Sequence, residues 1–451
     1  MNNPTSGLNR RRLLALGGAG LGAAALSACG GPSTSGPAAP AASASAADYA
    51  NVKPASEITF WSNHPGKSQE ITQKLIDKFH AAQSAIKVTL VTAGANYEEV
   101  AQKFQTAQQG GQLPHIVVLS DVWWFRYMIN QSIINLDPLI SALDFKVDDY
   151  RKGLWDDYKY KGLQWAVPWA RSTPLFYYNK DMWKTAGLED RAPKTWEEFA
   201  NWAPKLKEKN PAITAPYMHV AASDYDSWSL QNKVWGYGGA FSKEFEITCD
   251  SDAVIKALQF NQDGVYKDKW GAVSAKDAGA DFSAGAAACT VTSTGSLVGI
   301  LGNAKFDVGV GFLPGGPSAA DMVCPTGGAG LGIPKAITKE QQLAAATFLK
   351  FITEPENTAS FSEATGYMPV RTSANIDAVI SKRPQAKVAL DQLSHTRVQD
   401  FARVFLPGGD REIGMASADI LTQQANIKER MTKLKTTLTG IYTNDVKPKL
   451  G

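Results

Sequence analysis

The chain has 451 residues, with 46 lysines and arginines against 43 aspartates and glutamates, for a formal net charge of +3. Its basic residues are dispersed, so neither nucleic acid nor an anionic membrane surface is indicated as a partner. After an apolar run near the N-terminus the composition is that of a globular protein, with no second run long enough to span a bilayer.

Asn9-Arg10-Arg11-Arg12-Leu13-Leu14 opens an uncharged stretch, Leu13 to Ala28, rich in Ala, Gly and Leu. A basic start followed by an apolar segment shorter than the roughly 20 residues of a spanning helix predicts a signal peptide over 1–28, twin-arginine-like in its paired arginines. It ends in Leu26-Ser27-Ala28-Cys29-Gly30, small residues before a cysteine, which predicts cleavage to leave Cys29 as a lipid-bearing first residue. From Gly30 to Ala50 the chain is almost wholly Gly, Pro, Ser, Ala and Thr. Such a segment cannot build a core, and 29–54 reads as lipidated cysteine plus flexible tether. The expectation is an exported protein anchored to the outer face of the cytoplasmic membrane.

In the body, Ile58-Thr59-Phe60-Trp61 reads as a strand; Ile71, Leu75, Ile76 and Phe79 follow at helical spacing; Ile86 to Val91 alternates with period two. A helix carries Val100 and Phe104, and Ile116-Val117-Val118-Leu119 reads as a buried strand ending at Asp121. This α/β alternation predicts largely parallel sheets covered by helices, with ligands at the carboxyl ends of the strands, where Tyr97 and Asp121 fall. Further on, Thr195-Trp196-Glu197-Glu198 has capping-box form, Lys339 to Thr353 carries an apolar face, and the stretch from Ala418 is helical.

Catalytic constellations are absent. The histidines His64, His80, His115, His219 and His395 show no HxxxH or HxH spacing, and there is no CxxC, GxSxG elbow or P-loop. Neither metal nor cofactor is expected, and the chain reads as a non-enzyme. Gly327-Gly328-Ala329-Gly330-Leu331-Gly332 lacks the order of a dinucleotide fingerprint and reads as close backbone approach. Asp156-Asp157 reads as an exposed turn. Cys249, Cys289 and Cys324 allow one disulfide or none.

Pro168 to Lys180, PWARSTPLFYYNK, together with Pro193-Lys194-Thr195-Trp196-Glu197-Glu198-Phe199 and Thr365-Gly366-Tyr367-Met368-Pro369-Val370, resembles the family 1 extracellular solute-binding proteins of ABC importers. The segments Trp61 to Gly66, Asp121 to Phe125, Ser293 to Leu297, Cys324 to Gly330 and Val404 to Arg411 are similar to the branch of that family taking glycerophosphodiesters or glycerol 3-phosphate, in its mycobacterial form. The resemblance implies a two-lobe, maltose-binding-protein-like (type II) periplasmic-binding-protein fold, with 55–169 plus about 324–371 in lobe 1 and 170–323 plus about 372–451 in lobe 2. A monomer would capture a solute such as glycerophosphocholine by hinge closure and hand it to ABC permease subunits.

It also implies a ligand set. Arg411 would present a guanidinium fork to a phosphate, with Ser172, Ser293 or Ser296 and the backbone of Gly328 as neutral donors; among Ser293, Thr294 and Ser296 the choice stays open. Tyr367 would add a hydroxyl, Asp121 and Tyr97 would hold glycerol hydroxyls, and Trp228 would pack on the ligand. Tyr225 stands where enterobacterial members carry Trp and the mycobacterial form a small aliphatic residue, and its ring face suits a choline cation. The alternative is an oligosaccharide-binding protein with Trp123, Trp124, Trp228 and Trp235 as sugar platforms.

Overall fold

A computed structural model describes residues 45–220, 225–319 and 323–450. Cys29, the expected signal peptide and most of the expected tether lie outside the described residues. Among the described residues no helix is long and apolar enough to cross a membrane.

Two five-stranded sheets organise the body. The first contains β1 (Glu57–Ser62), β2 (Lys87–Thr92), β3 (Ile116–Ser120), β4 (Val167–Ser172) and, from far along the chain, β10 (Gly327–Gly332), in the order β2-β1-β3-β10-β4. The second contains β5 (Pro174–Asn179), β6 (Ala215–His219), β7 (Gly271–Val273), β8 (Ala287–Ser293) and β9 (Val308–Gly311), in the order β7-β6-β8-β5-β9.

Pairing is parallel except where β10 meets β3 and β4, and where β5 meets β8 and β9. Each sheet therefore has a single reversed strand, and it is the one arriving from the other lobe. Strands that end at the boundary point toward it; a strand that crosses the boundary starts there and must run away. The largely parallel order read from the sequence is thus broken once per sheet, for a topological reason.

Local chemistry agrees with these elements. In α1 (Gln69–Ala82) Thr72, Leu75, Ile76 and Phe79 are buried, one stripe at helical spacing, and Phe79 meets Phe348 edge-on at 5.1 Å. Thr338 opens its helix with a full capping box, accepting from Gln341 N at 3.3 Å while its own N–H donates to Gln341 Oε1 at 3.0 Å. Thr195 caps the helix Trp196–Lys209 through Glu198 N, but Glu198 turns to Arg191 and Lys194 instead of completing the box. The second lobe is filled by Phe176, Trp183, Trp196, Phe199, Tyr217 and Trp270. Cys249, Cys289 and Cys324 are all free and buried.

Candidate functional site

Because the parallel strands end at the lobe boundary, the residues that follow them line it. Asp121 comes directly after β3, Gly66 lies in the loop after β1, and Tyr97 opens α2 (Tyr97–Gly110) after β2. Asp121 donates its N–H to Gly328 O at 3.0 Å. Gly328 has φ +96°, and a Cβ there would lie 2.0 Å from Ala170 O, so this start of β10 accepts only glycine.

The Asp121 carboxylate, 8% exposed, accepts from Arg403 Nη1 at 2.9 Å and Gln399 Nε2 at 2.7 Å. Arg403 also donates to Gln399 Oε1 at 2.5 Å and to Ser227 Oγ at 3.3 Å. Beside it, the Tyr97 hydroxyl is buried with the Tyr367 hydroxyl as its neighbour. Burial, then the neighbouring Tyr367, Tyr158 and Asp121, hold its pKa well above that of a free phenol. Tyr367 is wedged between the lobes: a Cβ on Gly66 would come within 2.8 Å of its ring, and one on Gly295 within 2.7 Å.

The second lobe supplies the helix Asp226–Gly236, which we label αW for its tryptophans. Trp228 Nε1 donates to Thr326 O at 3.0 Å, and its indole covers Gly327, where a Cβ would sit 2.6 Å away. Tyr225 meets Trp228 edge-on at 5.8 Å and shares a short hydrogen bond with the Thr292 hydroxyl. Thr292 also lies 3.5 Å from Ser296 Oγ. Ser293 is occupied as a cap, accepting from Gly295 N at 3.0 Å, whereas the buried Thr294 hydroxyl has no partner among the described residues. Ser172 is buried at the end of β4, opposite Gly327 in register.

Tyr97, Asp121, Trp228, Gly328 and Tyr367 thus border one interlobe region, with Ser172 on the strand beside Gly327 and Tyr225, Ser293 and Ser296 clustered around Thr292. Arg411 is not part of the buried set. It is exposed in the first turn of the helix Gly409–Thr422. Gly408 at φ +78° and Gly409, whose Cβ would meet Ala402 O at 1.9 Å, turn the chain so sharply that Arg411 faces outward. Arg403, in the short helix Phe401–Val404 and four positions after Gln399, is the guanidinium that faces Asp121.

Asp157 also differs from the exposed turn expected for it. It is nearly buried, and one oxygen receives both the Arg171 guanidinium and the Thr326 hydroxyl in short contacts. Burial pushes its pKa up, opposed by Arg171 and Thr326 and reinforced by Asp121. Arg171 is 0% exposed and donates from Nη1 to Tyr158 OH at 2.8 Å.

The candidate sugar platforms are mostly committed elsewhere. Trp124 is 1% exposed and packed edge-on to Phe125, Tyr158 and Phe405. Trp235, 2% exposed, donates to Asp400 Oδ1 at 3.1 Å.

Residues 74–388 match the family of bacterial extracellular solute-binding proteins. The sn-glycerol-3-phosphate-binding periplasmic protein UgpB of Yersinia enterocolitica is 30% identical over 360 residues, covering 76% of this chain and 82% of that protein. The crystal structure of UgpB from Mycobacterium tuberculosis in complex with glycerophosphocholine superposes with a TM-score of 0.82 at 41% identity, covering 87% of this chain and 100% of that one. Maltose-bound MalE3 of T. maritima shares the fold, with a TM-score of 0.73 at 24% identity over 86% of this chain and 100% of that one.

Proposed function

The chain belongs to the bacterial extracellular solute-binding proteins, and from that premise we propose that it captures a glycerophosphodiester, glycerophosphocholine in the first place, and delivers it to an ABC permease. The observation that carries this reading is the buried pair Asp121 and Arg403, 2.9 Å apart across the lobe boundary. A hydroxylated anion satisfies both partners at once: phosphate oxygens take the guanidinium fork and glycerol hydroxyls donate to the carboxylate. Arg171 is fully buried and spanned by Asp157 and Tyr158, which makes Arg403 the guanidinium proposed to turn from Asp121 to the ligand. That suits a monoanionic diester better than a monoester, whose second ionisation near pH 6 adds charge.

The rings of Tyr225 and Trp228 offer their faces to a quaternary ammonium at the far end of such a diester. Tyr97, Tyr367, Ser172, Thr294 or its neighbours Ser293 and Ser296, and the Gly328 backbone complete the donor set. Ligand contacts from both lobes favour the closed form, which is the form the permease receives. The protein acts as a monomer, with 55–169 plus about 324–371 forming lobe 1 and the remainder of the body lobe 2, tethered through a lipid on Cys29. No bond is made or broken in this cycle.

Calorimetric titration with glycerophosphocholine, glycerol 3-phosphate and maltose tests the assignment. The diester is expected to saturate one site; saturation by maltose with no heat from the diester overturns the reading in favour of a sugar-binding protein. Replacing Cys29 by Ala is expected to release the protein from the membrane fraction, and retention there would remove the anchor.

A further inference from the structure

Three consecutive hydrogen bonds link the second lobe to the strand that precedes the hinge. Trp228 of αW donates to the carbonyl of Thr326 at 3.0 Å. The hydroxyl of the same Thr326 donates to Asp157, and Asp157 in turn receives Arg171. Arg171 is the residue before Ser172, whose register partner is Gly327. Thr326 is 2% exposed and Arg171 0%, so the groups that donate to Asp157 have little water to replace it. The chain also ends on a fixed point, since Arg171 is clamped by Tyr158 OH at 2.8 Å and lies over the Tyr158 ring at 5.0 Å.

We infer that Thr326, Asp157 and Arg171 are positioning residues for capture: they fix residues 326–328 where the Thr326 carbonyl meets Trp228 of the other lobe and the Gly328 backbone borders the cleft. None of the three need touch the solute. Their effect is on whether the second lobe finds its docking point on the first, so it deepens, and rests on, the hinge-closing reading above. A side-chain hydroxyl and a backbone carbonyl on one residue, aimed at opposite lobes, let Thr326 report the state of the hinge strand to the ligand-facing tryptophan. Loss of the hydroxyl alone unseats the carbonyl without removing it.

Thr326→Val keeps the shape and deletes the hydroxyl; Thr326→Ser keeps the hydroxyl and deletes a methyl. In the full chain, hydrogen exchange without ligand is expected to quicken about tenfold in Thr326→Val over 226–236 and 324–332, and to return to wild-type rates in Thr326→Ser. Affinity for glycerophosphocholine is expected to fall by about the same factor in the valine variant only. Wild-type exchange and affinity in Thr326→Val overturn the inference, as does faster exchange spread evenly over the chain with affinity unchanged, which is the signature of a merely structural contact. Should the valine variant fail to fold, Thr326→Ala, which deletes the hydroxyl without placing a new methyl beside Asp157, is read at the same two segments with the same expectation. If the wild type takes no glycerophosphocholine, the ligand assignment falls while the exchange rates still decide the relay.

Discussion

Each of the two sheets has a buried cation beside it, and the two are held by opposite means. On the first sheet Arg171 lies against the Asp157 carboxylate and the Tyr158 phenol. Burial works against its charge, yet Tyr158, Asp157 and Asp121 together raise its pKa above the usual arginine range. In the second lobe Lys233, 3% exposed, sits in a box of rings, with Nζ 3.9 Å from the Trp196 centroid and 4.6 Å from that of Tyr217, and donates to Asn261 Oδ1 at 2.7 Å. Here burial prevails over the attraction of Asp226 and Cys289, and the amine is pulled down to about 7. Rings and a neutral amide therefore compensate an ammonium less than an adjacent carboxylate compensates a guanidinium. The arginine beside the cleft is built to stay charged, whereas the lysine behind αW is not.

Cutting the first arrangement is expected to have the largest effect. Arg171→Met leaves the Asp157 charge buried without its partner and is expected to cost about 3–5 kcal/mol in urea unfolding; a loss below about 1 kcal/mol would erase the contrast between the two buried cations. The converse change, Lys233→Met, removes a poorly compensated charge and is expected to stabilise the protein by about 1–4 kcal/mol at pH 7.

The same lysine sets a pH signature. Between pH 7 and 10 the unfolded chain binds a proton at this position that the native chain does not, so stability rises with pH across that window. The wild type is expected to gain stability there more steeply than Lys233→Met, and parallel curves would show that the rings hold the charge after all.

Smaller effects separate the two arginines of the C-terminal segment. Arg403→Ala strips Asp121 of its partner and is expected to weaken glycerophosphocholine binding about 30- to 100-fold by calorimetry. Arg411→Ala, on the exposed turn, is expected to change affinity less than twofold and stability by no more than about 0.5 kcal/mol. Equal losses in both would mean that the outward helix turn closes over the ligand.

That last pair marks where the sequence was legible and where it was not. Period and length placed the strand at Ile58 within Glu57–Ser62 and the helix around Leu75 within Gln69–Ala82, because a buried stripe leaves its period in the chain. The positions of Asp121 and Tyr97 after their strands followed from the same logic, since strand ends define the boundary between lobes. Arginine choice depends instead on a glycine turn. Leu406-Pro407-Gly408-Gly409-Asp410-Arg411 draws attention to Arg411, but the spacing of Gln399 and Arg403, four apart and flanking the buried Asp400, was the available signal. Asp157 was hidden for another reason: its partners Arg171 and Thr326 lie 14 and 169 positions away, and no local pattern announces a pairing of that kind.

The reversed strands carry one more consequence. β10 lies between β3 and β4, so a nascent chain released before residue 332 has a gap in the middle of its first sheet, with two unsatisfied edges facing each other. Synthesis of the first half does not complete a lobe; its last structural piece is among the later ones to emerge. Truncated products are thus expected to be sticky fragments instead of half-receptors, and competence to bind arrives all at once, with the finished polypeptide.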